Sequence, residues 1–138
     1  MIPVIFINCD SCRFVSQIIE GAKRYETRNR RTLHALTGQW VLIAQSGRNR
    51  KPVVRAKAYI GRNVIRIETA DDWEWFRSSH RVPVGDEHDW KPDTKVKYLY
   101  ELLHPEAVSM FIPRLGKRHG RVWAELDEEN LPSWFKMY

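Results

Sequence analysis

Hydrophobic and polar residues follow two different periods along this chain, and the change between them predicts strands arranged around one helix. Residues 2–7 form an apolar run, which is typical of a buried strand. Within residues 11–20 the apolar positions recur at helical spacing instead; they are Phe14, Val15, Ile18 and Ile19. Asp10 or Ser11 is in position to cap this helix, and Gly21 is in position to end it.

Strand-like alternation dominates the rest of the chain. We predict further strands over residues 24–28, 40–46, 53–60 and 96–103, a short one ending near Glu68, and a last one over 121–126. In the 53–60 strand, one face carries Val54, Ala56, Ala58 and Ile60, and the other carries Arg55, Lys57 and Tyr59. The turn signal at residues 61–63 separates this strand from the next one.

The connections predict short helical turns and one long loop. Thr69 resembles a helix cap, which predicts a short helix over residues 70–77 with Trp73 and Phe76 on its core face. Pro105 predicts a brief helical turn after the 96–103 strand. Residues 80–95 contain prolines, a glycine and several charges, and are predicted to form a long loop.

The dominance of strands around one helix indicates an α+β fold built on a closed or nearly closed sheet, and the length favours a single domain. The chain has 138 residues, of which 43% are hydrophobic and 29% charged, an ordinary globular mixture. We predict the domain over residues 1–126 and an acidic, then aromatic, tail over 127–138. No apolar stretch approaches the roughly 20 residues of a membrane span, so no membrane partner is expected. Two cysteines cannot form a disulfide framework, which favours a cytoplasmic protein.

The formal net charge of +6 favours a polyanionic partner such as nucleic acid. Basic residues cluster after the 40–46 strand and along the 53–60 strand, where Tyr59 alternates with cations. Aromatic rings among cations are typical of surfaces that bind single-stranded nucleic acid. The predicted nucleic-acid-binding residues are Arg24, Arg48, Arg50, Lys51, Arg55, Lys57 and Tyr59. A solvated strand face is the alternative interpretation.

The segment of residues 21–28 has the most chemical content. If residues 24–28 form a strand, Glu26 and Arg28 share one face, and Lys23 lies at the start of the strand. The two cations can hold a phosphate or a carbonyl oxygen, and the carboxylate can accept from an exocyclic amine. A solvated face with a weak Glu–Arg pair is the alternative.

Residues 21–28 also resemble the Gly-x-Lys-x-x-Glu-x-Arg signature of the ASCH family, within the PUA-like superfamily. The order of later segments is similar to that family as well; these are residues 38–44, 54–61, 98–103, 112–116 and 122–123. The resemblance spans roughly residues 2–126 and implies a PUA-like β-barrel of about five or six strands, with a cleft beside the first helix.

The resemblance implies a protein that binds RNA or a modified nucleoside or nucleotide, without a cofactor. The expected ligand-binding residues are Lys23, Glu26, Arg28, Trp40 and Ser46. The alternative is a hydrolase at the same cleft, acting on RNA or on an acylated nucleoside, with Lys23 and Glu26 catalytic. Related amidohydrolases carry Thr where this chain has Glu26, and Thr27 points to the opposite strand face. This difference favours binding over catalysis.

Three other patterns predict functions that we consider weaker. Cys9 and Cys12 lie between a strand and a helix, but the chain lacks the βαβ pattern of a thioredoxin-like redox protein. The scattered histidines and the 86–89 cluster do not form a metal-site pattern, and no metal is expected. Trp134 and Phe135 in the tail would serve a protein–protein adaptor.

Overall fold

The computed structural model describes residues 1–8, 13–47, 50–111, 115–120, 122–135 and 137, with the backbone alone at residues 8, 50 and 130. Its strands are β1 (Ile2–Asn8), β2 (Tyr25–Arg28), β3 (Gln39–Gly47), β4 (Arg50–Ile67), β5 (Lys97–Phe111), β6 (Arg118–His119) and β7 (Trp123–Leu126). Its α-helices are α1 (Phe14–Glu20), α2 (Ala70–Trp75) and α3 (Arg77–His80), with 3-10 turns at His34–Leu36 and Glu128–Asn130. The predicted α+β class is confirmed.

The seven strands form one mixed sheet in the order β2-β5-β4-β3-β1-β7-β6. β1 and β3 are parallel, and the other neighbouring strands are antiparallel. Among the residues that the structure describes, no hydrogen bonds between strands close the sheet, and β2 and β6 form its edges. The sheet nevertheless curls strongly. Three strands separate β2 from β1 in the ladder, yet Arg28 of β2 donates from Nη2 to the Phe6 carbonyl of β1 at 3.0 Å.

Both faces of the central strands are buried, which explains their nearly continuous hydrophobic sequences. One core contains α1, the His34–Leu36 turn and α2; from β1 and β3 it receives Ile5, Ile7, Val41 and Ile43. The second core lies on the opposite face and receives Val4, Phe6, Leu42 and Ala44 from the same strands. The C-terminal tail covers this second core with Leu131, Phe135 and Met137.

β4 corrects two sequence predictions. Ile43 pairs with Ala56 and Ala44 with Val54, so a bulge at Arg55 reverses the strand faces. Val54 therefore packs in the second core, whereas Ala56 packs in the first and does not share its face. The predicted break at residues 61–63 is also wrong, because β4 runs through it and absorbs the extra residues as a register shift against β5.

The predicted helical turn at Pro105 is wrong as well, because β5 continues through it. Lys57 pairs with Glu106 and Tyr59 with Leu103, which leaves His104 and Pro105 opposite a single residue of β4. A bulge tolerates proline because the ladder there needs no amide donor. His104 has a φ of 52°, which marks the same irregularity.

The boundaries of the helices agree with the sequence prediction in part. Gly21 ends α1 in the left-handed conformation with a φ of 81°, as predicted. α1 begins at Phe14, and the proposed caps Asp10 and Ser11 lie outside the described residues. Thr69 caps α2 by accepting from the Asp72 amide at 3.1 Å. The predicted 70–77 helix is divided into α2 and α3, and none of the described helices has the length and apolarity to cross a membrane.

Candidate nucleobase or nucleotide cleft

A cleft opens where β1 and β2 face each other without pairing. Within the described residues, the ladder between β7 and β1 runs from Ile2 to Ile5, and beyond it the Phe6 amide donates to the Val122 carbonyl. Beyond that point the edge of β1 faces β2 across a hollow of about 270 Å³. The hollow is lined by Phe6, Ile7, Phe14, Glu26, Thr27, Arg28, Asn29, His88 and Lys97, and we call these residues the cleft.

The alternation of β2 brings Glu26 and Arg28 to this cleft together, as the sequence indicates. Glu26 is only 5% exposed; its Oε1 accepts from the Thr27 amide at 2.9 Å, and its Oε2 lies 3.5 Å from Arg28 Nη2. Arg28 spans the cleft to the Phe6 carbonyl, whereas its Nε is buried without a partner in the described part of the chain. A buried charged donor without an acceptor costs free energy, and such groups often mark a binding site.

Lys23 lies beside the cleft but does not line it. The turn at Gly21 directs it inward, where it is 1% exposed and donates to the His80 carbonyl of α3 at 2.5 Å. Its ammonium lies 4.6 Å from the centroid of the Phe14 ring, so one aromatic ring separates it from the hollow. Burial lowers the pKa of Lys23 to about 8, although nearby Glu26 opposes this shift.

The sequence prediction missed Lys97, a buried lysine that lines the cleft. It is 3% exposed, donates to Asn29 Oδ1 at 2.7 Å and lies 5.2 Å from the Trp73 ring centroid. Burial lowers its pKa. The sequence did contain an indication of this burial, because strand alternation places Lys97 on the same face as the apolar Leu99. The pairing of β2 with β5 brings this lysine to the cleft, and the linear sequence does not specify that pairing.

Two predicted ligand-binding residues lie elsewhere. Trp40 packs edge-on against Tyr59, with ring centroids 5.8 Å apart, and lines a separate hollow beside Met137. Ser46 pairs with Asn8 in the ladder of β3 and β1 and is absent from the lining of the cleft. Neither is therefore brought together with Glu26 and Arg28.

Three members of the predicted basic strip are bound to other parts of the protein. Arg24 donates to Ser79 at 2.7 Å, and the bulge at Arg55 directs its side chain to Gln45 at 2.6 Å. Lys57 is buried beneath the tail, where it donates to the Met137 carbonyl at 3.3 Å and pairs with Glu106 at 3.4 Å. The alternative interpretation, a solvated strand face, therefore does not hold at Lys57, because the tail covers that side chain.

Two further members of the strip, Lys51 and Tyr59, lie on β4. Lys51 is exposed on β4, and Tyr59 is half-buried against Trp40. Arg48 and the side chain of Arg50 lie outside the described residues, as do Cys9 and Cys12. Of the described members of the strip, Arg24, Arg55 and Lys57 are therefore held by Ser79, by Gln45 and by the tail.

The loop of residues 81–96 is held in place by the buried carboxylate of Asp89. Burial alone would raise the pKa of Asp89, but hydrogen bonds outweigh it and hold that pKa well below its usual range. The donors are the amides of Gly85 and Trp90, the indole of Trp73 and the guanidinium of Arg77, at 2.7 to 2.9 Å. This anchoring places His88 at the cleft.

Within the 86–89 cluster, Asp89 therefore fixes the loop through its hydrogen bonds, and His88 lines the cleft. Within the part of the chain that the structure describes, no three His, Cys, Asp or Glu side chains are grouped to hold a metal ion. The arrangement of the cleft instead offers cationic donors, one carboxylate and aromatic surface, which together suit an organic anion or a nucleobase edge.

Comparison with solved structures identifies the fold. Wild-type ASCH from Zymomonas mobilis superposes with a TM-score of 0.68 at 16% identity, covering 93% of this chain and 89% of that one. A serine-to-alanine variant of the same ASCH protein gives a TM-score of 0.69 at 19% identity, with coverage of 93% and 89%. A tyrosine-to-phenylalanine variant gives 0.69 at 19%, with coverage of 93% and 91%.

The chain therefore has the fold of the ASCH domain, as the signature at residues 21–28 indicated. No protein-family model and no curated protein matches the chain.

Proposed function

We propose that this chain is an ASCH-domain protein that binds RNA, or a nucleoside or nucleotide carrying a modified base, in the cleft between β1 and β2. The ASCH fold is linked to RNA binding through the PUA-like superfamily, and the net charge of +6 favours a polyanionic partner. The cleft combines cations, a carboxylate and aromatic rings within one small hollow. A hollow of about 270 Å³ is at the small end of ligand sites, which suits a single base or nucleotide.

The observation that carries this proposal is the position of Arg28. Its guanidinium bridges the two strands that flank the cleft, and its Nε has no partner in the described chain. A guanidinium fixed in this way can donate to a phosphate or to a carbonyl oxygen of a base. Glu26, held by the Thr27 amide, can accept from an exocyclic amine on the same base edge.

The proposal predicts that Arg28→Ala weakens the binding of short single-stranded RNA by about ten- to a hundredfold, because a charge-assisted hydrogen bond is lost. Binding would be measured by fluorescence anisotropy at two salt concentrations. Arg62→Ala is the matched control, since Arg62 is exposed on β4, and it is expected to bind nearly as the wild type does. Equal affinities for the wild type and Arg28→Ala would reject the cleft as the binding site.

A hydrolase acting at the same cleft is the second candidate, and the lowered pKa of Lys23 favours it. A lysine with a pKa of about 8 beside a carboxylate is typical of acid–base sites. However, Lys23 donates to a backbone carbonyl and is separated from the hollow by Phe14, while Glu26 already bonds to Thr27. These contacts favour binding as the main function.

The two candidates differ in whether a product forms. The wild type would be incubated with RNA and with N-acylated cytidine, and products would be separated by chromatography. Turnover that disappears in Lys23→Ala would establish the hydrolase. Binding without product, together with the loss of affinity in Arg28→Ala, would establish the binding protein.

A further inference from the structure

Lys97 is a buried cation, and most of its hydrogen-bond donors lack an acceptor within the described residues. Its ammonium carries three donors, and only one of them has an acceptor in the described chain, Asn29 Oδ1 at 2.7 Å. Asp89, the acidic group that acts on it electrostatically, is already held by Arg77 at 2.9 Å. A lysine that is 3% exposed and has no carboxylate partner within the described residues is costly to the folded state.

The surroundings of Lys97 indicate where the missing partner would lie. Lys97 lines the cleft together with Arg28, and it also lines an adjoining hollow of about 480 Å³ formed by the loop before β5. Asn29 borders both hollows. An anion at the junction of the two hollows would lie at the border that Lys97 and Asn29 share, with Arg28 in the lining of the first hollow. The second hollow carries charges of both signs, namely Lys91, Lys95, Glu87, Asp89 and Asp93.

We propose that Lys97 and Arg28 together bind a phosphate group, so that the ligand of the cleft is a nucleotide or an RNA strand rather than a neutral nucleoside or a free base. This inference rests on the proposed function and specifies the class of ligand. The phosphate supplies the acceptor that Lys97 lacks, and the second hollow provides room for the chain to continue beyond it. Compact ammonium groups and guanidinium groups are the usual phosphate ligands of proteins.

A purely structural role for Lys97 makes a different prediction. Its ammonium lies over the Trp73 ring, and its bond to Asn29 fixes the end of β2. If these contacts were its purpose, Lys97→Met would lower the melting temperature. If Lys97 is retained for a ligand, the same variant keeps or raises the melting temperature, because the cost of burying a charge is removed.

The test compares the affinities of the four ribonucleosides with those of their 5′- and 3′-monophosphates by isothermal titration calorimetry. We expect the wild type to bind at least one monophosphate about tenfold or more tightly than its nucleoside. A short single-stranded RNA in the same titration separates the two sources of phosphate, because an RNA ligand is expected to bind more tightly than any monophosphate. In Lys97→Met this preference is expected to vanish without a fall in melting temperature. Lys117→Met, which changes an exposed lysine, is expected to retain the preference.

The possible failures are distinguishable. A wild type that binds nucleosides and their monophosphates equally would overturn the phosphate assignment and leave the proposed function intact. A Lys97→Met variant that melts lower and weakens all ligands to the same extent would also overturn it, in favour of the structural role. A wild type that binds no nucleoside, monophosphate or RNA would reject the proposed function itself.

Discussion

At the scale of single residues, the cleft and its immediate surroundings contain charged groups that the fold buries. Lys23, Glu26 and Lys97 are each no more than 5% exposed, although ionised groups normally remain in water. Each one has a backbone or amide partner that reduces the cost of burial without removing it. The burial of these three charged groups in one region lowers the stability of the folded protein, as is typical of functional sites.

The lowered pKa of Lys23 predicts how its contribution to stability depends on pH. Its folded pKa of about 8 lies below its reference value of 10.5, so between these values the unfolded chain binds more protons than the folded chain. The free energy of unfolding therefore rises with pH in this window, by up to about 1.4 kcal/mol per pH unit. Lys23→Met keeps the length of the side chain but cannot titrate.

Urea denaturation of the wild type and Lys23→Met between pH 7 and 10.5 would measure this effect. The difference between their free energies of unfolding is expected to be constant below pH 8 and to shift in favour of the wild type above it. Other groups titrate equally in both proteins and cancel in the difference. Parallel curves across the whole range would show that burial does not lower the pKa of Lys23.

At the scale of elements, the carboxylate of Asp89 joins α2, α3 and the loop of residues 81–96. The connection matters to the cleft because α3 supplies the His80 carbonyl that holds Lys23, and the loop supplies His88. His80 itself is buried and stacks on Trp73 at 3.8 Å, and burial lowers its pKa to about 4. The neutral ring accepts from the Val82 amide through Nδ1 and bonds the Trp73 carbonyl through Nε2.

Asp89→Asn is predicted to lower the free energy of unfolding by about 3 kcal/mol at pH 7, because Arg77 loses its buried partner. The folded pKa of Asp89 is depressed, so its contribution is fully present above the unfolded value near 3.8 and is lost as pH falls below it. Chemical denaturation at pH 7 and near pH 3 would check both statements. A difference between the two proteins that did not shrink in acid would contradict the assignment.

At the scale of the whole molecule, two cores on opposite faces of one curled sheet hold the cleft in place. The tail contributes to the second core, so the fold continues past residue 126. Phe135→Ala is predicted to lower the free energy of unfolding by about 2 kcal/mol, because this half-buried ring packs on the second core. Trp134→Ala, at a neighbour that is 65% exposed, should change it by less than about 0.5 kcal/mol.

Thermal or urea denaturation of the two tail variants is a direct comparison. If the tail does not contribute to the stability of the fold, both substitutions will change the free energy of unfolding by equally small amounts. If it completes the fold, only Phe135→Ala will be strongly destabilised.

Local features of the fold could be predicted from the sequence, whereas features that depend on the pairing of distant strands could not. Gly21, Thr69 and the alternation of Glu26 and Arg28 were predictable, because caps and strand periodicity depend on neighbouring residues. The bulges at Arg55 and Pro105 were not, because they arise from the register between β4 and its neighbours. Lys97 belongs to the cleft for the same reason, since the pairing of distant strands places it there.

The position of the ligand tests the central claim most directly. Amide chemical shifts of the isotopically labelled protein would be followed by NMR during titration with short single-stranded RNA. We predict that the largest changes occur at the cleft, at Thr27, Asn29, His88 and Lys97, and that they are lost in Arg28→Ala. Changes centred on β4 at Lys51, Arg55 and Tyr59, or no changes at all, would contradict a binding site between β1 and β2.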